Sequence, residues 1–290
     1  MKTLLIGADG QLGSDLRKAY PVDDLVPLTI ADLDVCDYPE VDRIFREHSP
    51  DVVINTAAYH RVDECEDYPE KAMEVNALAV RNLAVVCKRI DAILVHFSTD
   101  YVFDGEASRP YTEADTPRPL SAYAISKLAG EHYIRYVHDK HFIIRLCGLY
   151  GVTGSMEKGT NFVETMLKLA KEGKDIKVVN DQTLTPTYTR ALAPRIKALI
   201  ETKQYGLYHM ACEGACSWYD FARGIFELSG LKPNLSPTTS DVYRTPAKRP
   251  RYSVLENENL KSVPGVPPMP HWRDALKEYL EERKMSRGER

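Results

Sequence analysis

Four apolar runs in the first half of the chain do not alternate. They read TLLIG from Thr3, DVVINTAA from Asp51, AILVHFSTD from Ala92 and HFIIRLCGLYG from His141. A strand with one wet face alternates apolar with polar side chains. Runs that are apolar at nearly every position describe strands covered on both faces. Between them lie segments with helical spacing: Leu12, Leu16 and Ala19, then Val41, Ile44 and Phe45. The stretch EKAMEVNALAVRNLAVVCKRI reads as one long helix, because its apolar residues recur every three to four positions. LVPLTIADLDV reads as extended, with Pro27 loosening its start. Strands covered on both faces, alternating with helices, predict an α/β fold built on a doubly wound parallel sheet.

The turn after the first run is GADGQLG, with Gly7, Gly10 and Gly13. Glycines between a strand and a helix allow a tight turn and let backbone N–H groups approach a pyrophosphate at the helix N-terminus. The plainer reading is a turn kept small for packing. Asp32 follows Gly13 near the end of the second strand and is a candidate to hydrogen-bond a ribose hydroxyl, with Asp34 and Asp37 competing for that role. No Arg or Lys lies between Tyr20 and Arg43, which leans toward NADH or tolerance of both NADH and NADPH. NTAA and FSTD close the next two runs at the same sheet edge, where open α/β sheets bind ligands. Ser98 and Thr99 place hydroxyls there.

The segment SAYAISKLAGEHYIRYV carries Tyr123 and Lys127. At four residues' separation they share a helix face. Such a pair arises easily by chance, and Tyr packing beside a solvated Lys is the bland alternative. Position favours chemistry, because this helix follows the strand that ends in Thr99. A carbonyl receiving hydride needs a proton on its oxygen. A phenol ordinarily titrates near ~10, and a nearby Lys cation would favour its phenolate. Ile125, Leu128 and Ile134 of the same helix read as packing.

After Gly148 the rhythm changes to shorter, less regular elements with Pro-rich loops. A kink is expected at Pro194, a cap at Ser217 with Asp220, and a fraying charged tail. Trp218 and Tyr219 read as core anchors. The expected division is a dinucleotide-binding domain over 1–150 and a mainly substrate-binding lobe over 151–290, with about 185–212 returning to the first.

Composition narrows the partners. A net charge of −4 over 290 residues gives no basic footprint, which argues against nucleic acid. No run approaches the ~18 apolar residues of a membrane span, and the opening apolar run is too short for a signal peptide. The six cysteines form no CxxC pair, so free thiols in a reducing cytoplasm are expected and no metal site. Of the eight histidines, only His60 reads as adjacent to the site.

Together these motifs resemble the extended short-chain dehydrogenases/reductases, and more closely the dTDP-4-dehydrorhamnose reductase group. The resemblance rests on GADGQLG, SPDVVINTAAYHRVDECEDYPEKAMEVNA, STDYVFDG, YAISK, VVNDQTLTPTYT, GLYHMACEGACSWYDFA and TPAKRPRYSVL. It implies a Rossmann fold with a smaller C-terminal substrate-binding lobe, NADPH or NADH as cofactor, and reduction of a nucleotide-linked 4-keto-6-deoxy sugar. Thr99, Tyr123 and Lys127 match the family's catalytic triad. Gly7, Gly10, Gln11 and Leu12 would hold the pyrophosphate, Ala57, Ala58 and Tyr59 would line the cofactor, and Asp37 would lie near the adenosine. His60, Val62, Asp100, Tyr101 and Arg249 would face sugar or nucleotide. Gly148 stands where group members carry a Trp that shapes the sugar site. Some members form homodimers through magnesium held by carboxylates; Asp15 could match one such ligand, the others are not placed, and no metal is expected. The rivals are a related epimerase or dehydratase, and a NADP-binding regulatory subunit like the β subunit of methionine adenosyltransferase.

Overall fold

The computed structural model describes residues 1–153 and 160–288. Its strands are β1 Thr3–Ile6, β2 Leu25–Leu28, β3 Val52–Asn55, β4 Ile93–Thr99, β5 His141–Leu146, β6 Leu149–Tyr150, β7 Ile176–Val179, β8 Thr183–Leu184, β9 Thr187–Tyr188, β10 Gly206–His209, β11 Cys216–Ser217 and β12 Leu235–Thr238. Six of them form one sheet in the order β10-β5-β4-β3-β1-β2. Every pairing in it is parallel. All residues of β1, β3, β4 and β5 are buried, as their unbroken apolar runs require. β2 stands at the edge, where the missing N–H of Pro27 is tolerated. It ends at Leu28, so the rest of LVPLTIADLDV is turn and loop rather than strand.

The helices cover both faces. One face takes α1 Gln11–Ala19 together with α8 Thr189–Thr202. The other takes α2 Tyr38–His48, α5 Ala79–Arg89 and α6 Ala122–Val137. The expected single helix over 70–90 is three pieces: α4 Pro69–Met73, a π-turn Glu74–Leu78, and α5. A short α3, Glu64–Asp67, precedes them. The remaining helices are α7 Phe162–Lys171, α9 Trp218–Ser229, α10 Glu258–Lys261 and α11 Trp272–Arg287.

β10 joins the main sheet and α8 lies against α1, so residues 189–209 pack with the first half of the chain. α8 runs through Pro194 without ending there. α9 opens with the expected capping box of Ser217 and Asp220 and closes at Gly230 in the left-handed region. Of the charged tail expected to fray, the part up to Arg287 is helical, and residues 289–290 lie outside the described residues. α11 continues to Arg287, and Arg283 and Arg287 both pair with Glu164. Asp15 ties α1 to α8 by accepting from the Thr189 hydroxyl at 2.6 Å, with Lys18 at 2.9 Å.

The helix carrying the Tyr–Lys pair buries charge. Glu131 of α6 takes a bidentate pair from Arg145 of β5 at 2.9 and 2.7 Å, and both are almost fully buried. Lys127 is buried one turn before it. Ile125, expected to pack, is instead 51% exposed. Ser126 accepts from Asn76 of the π-turn at 3.0 Å. A Cβ on Gly130 would lie 2.3 Å from the Asn76 carbonyl oxygen, so only glycine permits this approach.

Removing one member of a buried ion pair leaves an unpaired charge in a medium that cannot solvate it. Glu131→Ala should therefore lower the unfolding free energy by about 3–5 kcal/mol in urea denaturation. Glu131→Leu combined with Arg145→Met should cost less than that single change. A Glu131→Ala protein that unfolds at the parent's urea midpoint would show the pair to be dispensable.

Candidate active site

The order of the sheet reverses between β1 and β3, which opens a crevice beyond their carboxyl ends. Gly7 holds φ +76° at the end of β1, and a Cβ there would lie 2.5 Å from Thr56 Oγ1. A Cβ on Gly13 would lie 2.2 Å from the Gly7 carbonyl oxygen. These two glycines are steric requirements of the turn, one for backbone conformation and one for packing of α1. Gly10 caps α1 with no side chain on its N–H groups and no acid in its first turn. The first-turn N–H groups and the positive helix end are therefore left for a ligand. Ala57 and Ala58 supply a small-residue wall beside them. This cradle, which side chains would fill, fits the pyrophosphate of a dinucleotide.

The crevice continues into a cleft of about 860 Å³. Gly10, Gln11, Leu12, Ala57, Ala58, His60 and Val62 line it from the first half of the chain. Thr99, Asp100, Tyr101, Tyr123 and Lys127 line it further along, and Arg249 lines it from the second half of the chain. Thr99 of β4 thus meets Tyr123 and Lys127 of α6 on one cavity. Gln11 also ties the two halves together, its Oε1 accepting the Gly151 N–H at 3.0 Å.

Four residues expected at the cofactor stand apart from that lining. Gly7 acts through the turn just described. Asp32 lies in the loop beyond β2, exposed, and its Oδ2 accepts both the N–H and the hydroxyl of Thr29 at 2.8 Å. Those bonds hold its carboxyl below the ordinary range. Asp37 caps α2 by accepting the Glu40 N–H at 3.1 Å. Tyr59 turns its ring into a small cluster with Cys65 and Ala72, and its hydroxyl donates to Glu64 at 3.0 Å. Asn76 clamps the Tyr59 backbone, accepting its N–H and donating to its carbonyl, both at 2.9 Å.

The electrostatics of the centre differ from the expectation that Lys127 lowers the phenol. The Tyr123 phenol is pushed above its ordinary value, first by burial and then by the Asp100 carboxylate, with the Thr99 hydroxyl opposing. Lys127 is pushed down to about 8 by burial, partly offset by Glu131. Asp100 rises to about 6 because burial outweighs its hydrogen bonds. Its Oδ1 accepts from Thr99 Oγ1 at 3.1 Å and its Oδ2 from Cys147 Sγ at 3.1 Å. Arg249 pairs bidentately with Asp63 at the rim, at 3.0 and 2.8 Å.

Sequence reasoning missed several groups. His96, not only His60, belongs to the site: it is fully buried and its Nε2 lies 3.2 Å from Lys127 Nζ. A histidine inside the apolar run AILVHFSTD was the available signal. Ser98, already placed at this edge by the FSTD run, lines the cleft with a buried hydroxyl that lacks a partner. Trp218 does anchor the core, against Phe162 at 4.6 Å and Phe221 at 6.3 Å. It also forms part of the cleft wall with Phe162, and of a small side pocket that Gly148 borders.

Comparison with known proteins agrees with this geometry. The family model described as the RmlD substrate binding domain matches residues 1–285. The spore coat polysaccharide biosynthesis protein SpsK of Bacillus subtilis is 40% identical over 284 residues, covering 97% of this chain and 98% of the relative. A dTDP-4-dehydrorhamnose reductase of Clostridium acetobutylicum superposes with a TM-score of 0.93 at 42% identity, covering 98% of this chain and 100% of that one. The dTDP-4-dehydrorhamnose reductase of Bacillus anthracis, solved in complex with NADP, gives 0.92 at 37% identity over 97% of this chain and 100% of that one. The cradle, the Tyr–Lys helix and the second half of the chain to residue 285 all lie within the family match, and the chain belongs to the dTDP-4-dehydrorhamnose reductase (RmlD) family of extended short-chain dehydrogenases/reductases.

Proposed function

We propose that the chain is an NAD(P)H-dependent oxidoreductase that reduces the 4-keto group of a nucleotide-linked 6-deoxy sugar. The leading substrate is dTDP-4-dehydro-L-rhamnose, giving dTDP-L-rhamnose. The observation that carries this reading is the convergence of Thr99, Tyr123 and Lys127 in a cleft that begins at the glycine cradle. Support for the cofactor comes from that cradle and from the NADP complex of the Bacillus anthracis relative. When bound, the reduced nicotinamide supplies hydride to the carbonyl carbon.

The residues of this chain do the rest. Tyr123 donates its phenolic proton to the carbonyl oxygen as negative charge develops there. Burial and the Asp100 carboxylate keep that phenol protonated well past neutral pH, which suits a donor. Thr99 presents a hydroxyl beside it to polarise the carbonyl. Lys127, one turn along α6, stabilises the phenolate left behind when it carries its proton. His60, Val62, Asp100, Tyr101 and Arg249 are assigned to the sugar and nucleotide, with Asp63 orienting Arg249. Asp32 and Asp37 remain the assigned acids for the adenosine ribose. We place the enzyme in the cytoplasm, as a monomer or homodimer. All six cysteines stand as thiols, which suits a reducing compartment. Among the described residues no helix is long and apolar enough to cross a membrane.

Consumption of NADPH on adding the keto sugar distinguishes this reading from an epimerase or dehydratase, which return the hydride. Tyr123→Phe should cut kcat by about 100- to 10,000-fold while the protein still binds NADPH. Turnover by that variant within about tenfold of the parent would remove Tyr123 as the acid. Absence of turnover by the parent with any keto sugar, despite cofactor binding, would favour the regulatory-subunit rival. In a thermal-shift panel of dTDP, UDP and GDP sugars, the dTDP sugars should raise the melting temperature most, because a ligand stabilises the state that binds it. No shift with any dTDP compound would overturn the rhamnose assignment.

Asp100 makes a separate pH prediction. Its folded-state carboxyl, at about 6, lies above the ordinary value of 3.8. The native state thus binds a proton more tightly than the unfolded chain. That stabilisation is complete below the unfolded value and lost as pH rises through about 6. Relative to Asp100→Asn, the parent should lose up to about 3 kcal/mol of stability between about pH 4 and neutral pH. Urea denaturation at both pH values checks this, and equal slopes for the two proteins would contradict it.

A further inference from the structure

His96 is a buried titratable group that the chemistry above does not use. Its Nε2 lies 3.2 Å from Lys127 Nζ, and its Nδ1 lies 3.3 Å from Asn55 Nδ2. A second contact sets the orientation of Asn55, because its Oδ1 accepts the Ala57 N–H at 3.1 Å. The Asn55 amide nitrogen therefore faces the imidazole, and it can only donate. Nδ1 must accept, so a neutral ring carries its proton on Nε2. That Nε2–H points at Lys127 Nζ, which accepts a hydrogen bond only as the free amine.

Protonation of Lys127 reverses this order. An ammonium donates to Nε2 and sends the ring proton to Nδ1, where it meets the Asn55 amide hydrogens. Turning the amide over satisfies the ring but sets those hydrogens against the Ala57 N–H. Asn55, His96 and Lys127 are all almost fully buried, so water is a poor substitute partner.

We propose that His96 is a positioning residue that ties the charge on Lys127 to its own tautomer and to the orientation of the Asn55 amide, and through that amide to the Ala57 N–H on the cofactor wall. Burial, and then the Lys127 charge, hold the ring's basicity well below the ordinary histidine value, so it changes tautomer and stays neutral. The groups that face Lys127 are few. His96 comes from β4. Glu131 comes from its own helix, with its carboxylate already taken by Arg145 of β5. Tyr123 and Asp100 stand on the cleft side. A ligand that engages the Ala57 N–H or draws Lys127 away from His96 therefore changes how readily Lys127 holds a proton. The bearing of this on Tyr123 rests on the proposed reduction, whereas the coupling itself does not.

The test is nitrogen NMR on the full-length protein with labelled histidine and lysine, from about pH 6 to about pH 10. The His96 signals are assigned through contacts to Asn55 and to Ile143, its register partner on β5. The ring should stay neutral and pass from the Nδ1–H to the Nε2–H tautomer at the same midpoint at which Lys127 loses its proton. A single tautomer throughout, or an imidazolium forming in that range, overturns the proposal. Asn55→Asp keeps an acceptor for the Ala57 N–H and places a second one before Nδ1. It should lock the Nδ1–H tautomer and raise the Lys127 midpoint by about one pH unit or more. The locked tautomer separates this from a plain charge effect, and a ring that still exchanges tautomers in the variant also overturns the coupling. Should the variant not fold, the parent's titration decides alone. Both readouts are spectroscopic, so they stand whether or not the chain turns over a keto sugar.

Discussion

Polar side chains buried between α6 and the sheet govern how this molecule is put together. An ordinary amphipathic helix turns its charges outward. α6 turns Lys127 and Glu131 inward and leaves Ile125 in solvent. Each buried charge then needs a partner at a definite place, because neither water nor a slack fit can replace it. Arg145 of β5 meets Glu131, and His96 of β4 meets Lys127. Asn76 of the π-turn meets Ser126. These contacts fix both the rotation and the height of the helix, and that is what carries Tyr123 into the cleft beside Thr99.

A second constraint is steric and acts at the other end of the cleft. The space that a Cβ would occupy at Gly7 and Gly13 is already filled by Thr56 and by the chain's own backbone. The turn can therefore be tight enough for α1 to start immediately beyond β1, with its N–H groups presented to the crevice. The two ends are linked through β3. Its last residue, Asn55, touches His96 on one side and the Ala57 N–H on the other. The floor of the cleft is thus one hydrogen-bonded unit from the Ala57 N–H to Lys127.

Much of this was legible in the sequence, and the failures share a cause. The unbroken apolar runs identified a parallel sheet because burial on both faces leaves no other composition. The glycine turn and the Tyr–Lys spacing were readable because their chemistry is local. Four local expectations failed where a distant residue intervened. Ile125 was assigned to the core from its apolar character, but the partners of Lys127 and Glu131 rotate it outward. The helix over 70–90 breaks at a π-turn that delivers Asn76 to both Tyr59 and Ser126. The tail is helical as far as Arg287, where Glu164 pairs with Arg283 and Arg287. His96 was passed over because a lone histidine in an apolar strand carries no spacing signal until its neighbours are known.

The sheet, the glycine cradle and the placing of Tyr123 and Lys127 on one helix face follow from the sequence alone. Those depend on periodicity, on the absence of a Cβ and on residues one helical turn apart. The protonation state of that phenol and of its neighbours is set instead by how the elements pack. Burial and Asp100 raise the phenol, burial lowers Lys127, and His96 and Asn55 set what Lys127 can donate or accept. A proton's position depends on which groups lie within a few ångströms and on how much water is excluded. Those are properties of strands and helices brought together from across the chain, and no stretch of the sequence contains them.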